Sequence, residues 1–161
     1  MQNNQQFFAQ RLKNEIPAFV KVIRALPADK LDYKPHEKNT PAGALAWQIT
    51  NEMVSLIDLF DSGSLNYAGY GEPPSPDEMA SKLEAAANTL AERAPSMPDE
   101  KWNGPGKFLY MGQTAWEATV SEIAWGFLFD LVHHRGQLSA YIRPMGGKVP
   151  AIYGPSADEK S

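Results

Sequence analysis

Four long segments of this chain repeat apolar residues every three or four positions, which is the spacing of an amphipathic α-helix. The pattern predicts helices over residues 5–26, 41–60, 76–93 and 114–143. Helices of this kind bury their apolar stripes most simply against one another. No segment sustains the alternation of a strand, and only a short extended piece is expected, around residues 107–110. The predicted fold class is therefore all-α, a four-helix bundle forming a single domain over residues 1–161.

Three capping patterns place the starts of these helices. Thr40-Pro41 predicts the start of the second helix, with threonine as N-cap and proline at the first helical position. Ser75-Pro76, followed by acidic residues, predicts the start of the third helix. Thr114-Ala-Trp-Glu117 matches a capping box and predicts the start of the fourth and longest helix.

Composition narrows the functional classes. The net charge of −4 argues against nucleic acid as a partner, because duplex binding needs a basic surface. The absence of cysteine excludes disulfides, zinc–thiolate sites and a cysteine nucleophile. We found no signal-peptide pattern at the N-terminus and no apolar run near the roughly 20 residues that span a bilayer. The expectation is a cytoplasmic protein with neither a nucleic-acid nor a membrane partner.

The predicted fourth helix carries two polar groups within its apolar stripe. Asp130 and His134 are four residues apart and so lie one above the other on the same helix face. The apolar residues that share this face are Val120, Ile123, Phe127, Leu131, Leu138 and Tyr141. Polar groups in a buried stripe are destabilising unless they are paired, protonated or coordinated. Whatever satisfies Asp130 and His134 is therefore the best indication of function.

The second helix repeats this anomaly with Gln48 and Glu52, again four residues apart within an apolar stripe. Bundles build metal and cofactor sites from inward-facing groups on neighbouring helices, so the four polar residues predict a shared site for a metal. Imidazole and carboxylate donors suit zinc, nickel, iron or manganese. The alternative is a buried polar network in which Arg135, His134 or a lysine pairs with the carboxylates and no metal is needed.

The other two histidines are predicted to lie outside this site. His133 projects about 100° away from His134 around the helix, which indicates a surface or interface position. His36 follows a proline in a connecting segment, which indicates exposure to solvent.

Several motifs resemble the DinB-like proteins. The last helix contains His134-Arg-Gly-Gln137 and is followed by RPMGGKVPAIYGPS at residues 143–156. The second helix contains LAWQI at residues 45–49, preceded by Tyr33-Lys-Pro35. The order and spacing of these motifs agree over nearly the whole chain. The resemblance implies a four-helix bundle with up-down-down-up topology, commonly assembled as a homodimer.

The resemblance also implies a divalent metal held by three histidines, one on the second helix and two spaced as His-x3-His on the last. Relatives include transferases and isomerases in which the metal activates a low-molecular-weight thiol. Here Gln48 and Asp130 stand at two of the three histidine positions, and only His134 is retained. Because a glutamine amide is a poor ligand, we expect metal binding to be weak or absent compared with a site of three histidines, unless Glu52 takes the place of Gln48 as a ligand.

Two functional hypotheses follow. The first is a metal-dependent enzyme of the thiol transferase or hydrolase type, acting on a small molecule at the cluster of Gln48, Glu52, Asp130 and His134. The second is a non-catalytic bundle that has lost the metal and serves as a small-ligand-binding or structural protein.

Overall fold

The computed structural model describes residues 2–160, which form a mostly helical domain with a small sheet at one side. The helices are α1 (Asn4–Arg24), α2 (Ala42–Ser62), α3 (Pro76–Arg93), α4 (Asp99–Trp102) and α5 (Val120–Ile142). The strands are β1 (Ser64–Tyr67), β2 (Pro105–Tyr110) and β3 (Gln113–Thr119). Within the described range, no helix combines the length and apolar character needed to cross a membrane.

The four long helices pack as the apolar periodicity predicts. Helix α3 lies against both α1 and α2, and α2 also packs along α5. Every apolar residue of the predicted α5 stripe is buried. An aromatic cluster closes one end of this core, with the Trp102 ring 5.4 Å from Phe8 and 5.9 Å from Phe60 between centroids. The core therefore holds α2 and α5 side by side, which is the arrangement the candidate site requires.

The prediction of a purely all-α fold is wrong in part, because three strands form a sheet in the order β1-β2-β3. β1 follows α2 directly and pairs in parallel with β2, and β2 pairs antiparallel with β3. A two-residue turn at Met111 and Gly112 joins β2 to β3, and both residues have positive φ (52° and 78°). Such turns match the twist of a hairpin and tolerate glycine best. Of these strands, the sequence predicts only the extended piece around residues 107–110, which forms the C-terminal part of β2.

The predicted start of the last helix is also wrong. Thr114 and Glu117 lie in β3, and α5 begins at Val120 with Thr119 as its N-cap. The Thr119 hydroxyl accepts a hydrogen bond from the Glu122 backbone N–H, and the Glu122 carboxylate accepts one from Thr119. The Thr-x-x-Glu spacing thus occurs twice in succession, and pairing of residues 113–119 with β2 decides which copy caps the helix.

The other helix starts need smaller changes. Helix α3 begins at Pro76, with Ser75 and Glu78 forming the capping box that the sequence predicts. Helix α2 begins at Ala42, and its N-cap is Pro41 rather than Thr40. No side-chain hydrogen bond caps this end. Instead, the backbone N–H groups of Ala42 and Gly43 donate to the carbonyls of Tyr33 and Leu31 in the preceding connection.

Candidate metal centre

Helices α2 and α5 bring the two predicted polar pairs together. The Gln48 side-chain nitrogen lies 2.9 Å from Glu52 Oε1 within α2 and 3.4 Å from His134 Nε2 across the helix interface. On α5, His134 Nε2 lies 3.2 Å from Asp130 Oδ2. All four residues predicted from sequence therefore meet at one place, although Asp130 is half exposed rather than buried in the stripe.

Glu52 is the most constrained member of this cluster. Its side chain is only 6% exposed, and Oε1 accepts a hydrogen bond from the Gln48 amide. The other oxygen, Oε2, is buried and has no hydrogen-bond partner among the described residues. Burial raises the pKa of Glu52, the hydrogen bond from Gln48 lowers it, and the charge of Asp130 raises it further. The site therefore contains a buried carboxyl oxygen that no hydrogen-bond donor of residues 2–160 faces.

His134 is oriented by Gln137, one helical turn further along α5. The two side chains are 2.8 Å apart between His134 Nδ1 and Gln137 Oε1. A glutamine oxygen only accepts, so in the neutral form of His134 this contact places the proton on Nδ1 and leaves the lone pair of Nε2 toward the site. This is the tautomer that a metal-binding histidine adopts when its second nitrogen is held by a hydrogen bond.

The donor set fits a divalent cation. One ligand atom from each of Glu52, Asp130 and His134 can be chosen so that all lie within 4.8 Å of one another. Two carboxylates and an imidazole lone pair repel each other at this separation unless a proton or a cation lies among them. Nitrogen and oxygen donors of this kind suit zinc, nickel, iron and manganese. Gln48 presents its amide nitrogen, a donor, to Glu52 and His134, so in this arrangement it orients the ligands.

The alternative polar network is present only in part. His134 does contact Asp130, but Arg135 points away from the cluster and pairs with Glu15 on α1 and with the Tyr153 hydroxyl. His133 and His36 are exposed, as the sequence predicts. No lysine or arginine neutralises Glu52 or Asp130 among the ion pairs of residues 2–160. His134 is thus a basic side chain in contact with the cluster's carboxylates, and neither carboxylate has a lysine or arginine partner in this part of the chain.

Two cavities of about 240 Å³ each flank the cluster. One opens beside Glu52 and Asp130, and its other walls are Phe108, Trp116, Gly126 and Phe127. The second opens beside Gln48 and His134, and polar residues from the connection before α2, including Lys38 and Asn39, line it. A small molecule can thus reach the donor atoms from an aromatic side or from a polar side.

Sequence reasoning missed several residues of this site. Gln137 could have been found, because a polar residue three positions after His134 lies on the same face of α5. The capping pattern at Thr114 predicts that Trp116 lies in a helix, and this prediction hides its position in the wall of the site. Tyr70 lies in the loop after β1, and burial followed by the nearby charge of Glu52 raises its pKa. No periodicity signal connects a loop tyrosine to this cluster.

Comparison with known proteins identifies the family of this chain. The model of the DinB family matches residues 1–161. The chain belongs to the DinB family. No curated protein matches it by sequence.

Two crystal structures of DinB-like proteins share the fold. The protein from Bacillus subtilis superposes with a TM-score of 0.69 at 16% identity, covering 89% of this chain and 94% of that one. The protein from Bacillus cereus gives a TM-score of 0.71 at 20% identity, covering 91% and 95%. At these identities the likeness establishes the DinB-like fold alone. The chemistry of this DinB family member therefore has to be argued from its own residues.

Proposed function

We propose that this chain binds one divalent metal ion through Glu52, Asp130 and His134 and is a metal-dependent enzyme acting on a small molecule. The reaction class we propose is thiol transfer or hydrolysis, with a low-molecular-weight thiol or water as the nucleophile. The single observation that carries the proposal is the buried Oε2 of Glu52, which has no hydrogen-bond partner within residues 2–160 and lies in a cluster with two further ligand residues whose donor atoms come within 4.8 Å of one another. A cation supplies the missing partner of this oxygen and offsets the repulsion between the two carboxylates.

Each residue has a separate task in this proposal. Glu52 is the buried ligand, held by the amide of Gln48, and His134 is the nitrogen ligand, held in the correct tautomer by Gln137. Asp130 is the half-exposed ligand and faces the cavity from which a substrate enters. When bound, a divalent ion would supply Lewis acidity that lowers the pKa of a coordinated water or thiol. Three protein ligands leave room for such an exogenous ligand.

The ligand set also bears on which ion binds. With Gln48 and Asp130 at two of the three positions where the resemblance implies histidine, two of the three proposed donors are carboxylate oxygens rather than imidazoles. Carboxylates favour harder ions, so manganese and iron should compete better here against zinc and nickel than at a site of three imidazoles. Binding should also be weaker overall, because imidazole is the stronger ligand for zinc and nickel.

Elemental analysis of protein purified without a metal-affinity tag tests the proposal. We expect a divalent ion in the wild type and none in Asp130→Ala or His134→Ala, because a three-ligand site cannot lose a ligand and hold its ion. His36→Ala is the matched control, since His36 is an exposed histidine in a loop, and it should keep the wild-type metal content. Equal metal content in the wild type and both ligand variants would contradict the proposal.

A second candidate function is supported by the raised pKa of Glu52. A proton on Glu52 would relieve the repulsion without a metal, and the cluster would then be a hydrogen-bonded site of a small-ligand-binding protein. The two functions differ in the Gln48→His, Asp130→His double variant, which restores the histidine pattern implied by the family resemblance. If the double variant gains tight zinc binding and the wild type binds no ion, the non-catalytic alternative is favoured.

We further propose that the chain forms a homodimer. Three aromatic side chains from α1 and α5 form a continuous surface patch, with Trp125 5.6 Å from Phe7 and 5.8 Å from Phe129 between ring centroids. Phe129 is 66% exposed, and contiguous apolar patches of this kind favour protein–protein contacts. Light scattering should give twice the 17.8 kDa chain mass, and Phe129→Asp should shift the protein toward the single-chain mass. A wild-type monomer at micromolar concentration would contradict this proposal.

A further inference from the structure

The cavity beside Glu52 and Asp130 has a floor from one helix and a wall from the hairpin. Phe127 and Gly126 belong to α5, whereas Phe108 on β2 and Trp116 on β3 are cross-strand partners in the sheet. The Phe108 and Phe127 rings meet edge to face with centroids 5.2 Å apart. Glu52 and Asp130 complete the lining, and a carboxylate oxygen of one lies within 4.8 Å of a carboxylate oxygen of the other. The cavity therefore has an apolar body and a single polar end.

Trp116 and Gly126 fit each other closely. A Cβ atom added to Gly126 would lie 2.7 Å from Cη2 and 2.9 Å from Cζ3 of the Trp116 indole, closer than carbon atoms can approach. The absence of a side chain at position 126 is thus what lets the indole rest directly on α5. Glycine in the interior of a helix is destabilising by roughly 0.5–1 kcal/mol relative to alanine, so this seat for Trp116 is retained at the expense of helix stability.

We propose that this cavity is the subsite for the apolar group of the substrate, which is a molecule without an anionic group that carries one six-membered ring or a branched chain of similar size. The polar atom of that substrate faces Glu52 and Asp130, and Trp116 on Gly126 determines which apolar groups fit. This inference rests on the proposed function only for the reaction of the substrate's polar atom at the metal. Binding of the apolar group itself needs no metal.

Volume and charge define this class of ligand. A dry cavity of roughly 150 Å³ accommodates benzene, so about 240 Å³ accommodates one ring with a short polar substituent. The aromatic walls favour stacking and edge contacts with such a ring. Two carboxylates at the polar end repel an anionic substituent while no metal is bound. Benzyl alcohol therefore has the right shape and charge, and benzoate has the right shape with the wrong charge.

Titration of the metal-free protein with these two probes tests the subsite. In chelator at neutral pH, benzyl alcohol should shift the indole N–H resonance of Trp116, which is assigned by its loss in Trp116→Phe. A Kd on the order of 1 mM is expected for a ligand of this size in an open cavity. Benzoate should bind at least about tenfold more weakly. Equal binding of the two probes, or shifts that spare Trp116, would overturn the inference.

Glycine variants on the same helix supply the matched comparison. Gly126→Ala displaces the indole and should weaken benzyl alcohol binding at least about fivefold. Gly136→Ala is the control, because nothing lies within 4 Å of a Cβ at that position, and it should bind as the wild type does. Unchanged affinity in Gly126→Ala would overturn the role assigned to Trp116.

A comparison of two hairpin variants tests whether the effect on probe binding is specific to Trp116 or follows from any change in the sheet. Trp116→Ala removes the wall and should weaken benzyl alcohol binding, whereas Tyr110→Ala removes an exposed ring of the same hairpin outside the cavity and should not. Equal losses in both variants would contradict a specific wall. Metal titration of Gly126→Ala separates this inference from the proposed function. If Gly126→Ala binds metal normally but binds benzyl alcohol weakly, the subsite is supported. If the wild type binds benzyl alcohol but no metal, only the proposed function is overturned.

Discussion

Replacing Glu52 by glutamine should stabilise the metal-free protein at neutral pH and at the same time remove the proposed metal site. The substitution keeps the shape of the side chain and the hydrogen bond that its oxygen accepts from Gln48. It replaces the buried, unpartnered Oε2 by an amide nitrogen, which can donate to Asp130 or His134 in the same cluster. A penalty for an unsatisfied acceptor and a buried charge is thereby exchanged for a hydrogen bond.

The size of this effect follows from the burial of Glu52. Leaving a buried polar atom unpaired costs about 1–3 kcal/mol, so the free energy of unfolding should rise by about that amount. For a domain of this length, the melting temperature should rise by roughly 3–9 °C. Because folding raises the pKa of Glu52, the wild type loses stability as pH rises above the ordinary value of 4.5. The advantage of the glutamine variant should therefore be largest at neutral pH and shrink as pH falls toward 4.5.

Urea denaturation in the presence of chelator, at several pH values, measures this difference. Glu92→Gln, which removes an exposed carboxylate from α3, should change the free energy of unfolding little at any pH. Adding manganese or zinc should stabilise the wild type and leave Glu52→Gln unchanged. Two results would contradict the assignment of Glu52 as a buried carboxylate without a partner for Oε2. One is a glutamine variant that is less stable than the metal-free wild type at neutral pH, and the other is a stability difference that does not vary with pH.

Three further predictions concern stability and binding. Arg135→Met should lower the free energy of unfolding by about 3–5 kcal/mol in urea denaturation, because it leaves Glu15 without its buried partner. The control is Arg143→Ala, which breaks an exposed ion pair and should lower the free energy of unfolding by less than about 1 kcal/mol. Thr119→Ala should lower it by about 1 kcal/mol through loss of the α5 cap, and equal losses in Thr114→Ala would contradict the observed helix start. Calorimetric metal affinity should fall as pH falls, because protons compete for the raised-pKa carboxylate of Glu52, and a pH-independent affinity would contradict its role as a ligand.

The helices could be predicted because local signals and burial agree. Helix α3 has its Ser75 cap, a proline at its first position and a regular apolar stripe, and its observed bounds are those predicted. The start of α5 was misplaced because two Thr-x-x-Glu patterns lie in succession, and local sequence cannot rank them. Which of the two threonines caps α5 depends on the pairing of β3 with β2. The sequence of β3 shows little apolar alternation, because most of its residues are exposed.

The residues of the candidate site also fall into a group that the sequence predicts and a group that it does not. The four-residue spacing within each helix predicted that Gln48 and Glu52 share one face, and that Asp130 and His134 share another. The convergence of these faces followed from the requirement that both stripes be buried. The aromatic wall could not be predicted, because Trp116 reaches the site only through the hairpin and through its seat on Gly126. Residues that lie on one helix face can be read from periodicity, and residues brought in by tertiary contacts cannot.

The most direct test of the metal site is anomalous diffraction from crystals of the wild-type protein soaked with manganese or zinc. We expect one strong peak per chain within bonding distance of Glu52 Oε2, Asp130 and His134 Nε2, and no such peak in crystals of Glu52→Gln. A peak bound elsewhere, or no peak between α2 and α5 at saturating metal, would contradict the central claim that these three residues hold a divalent ion.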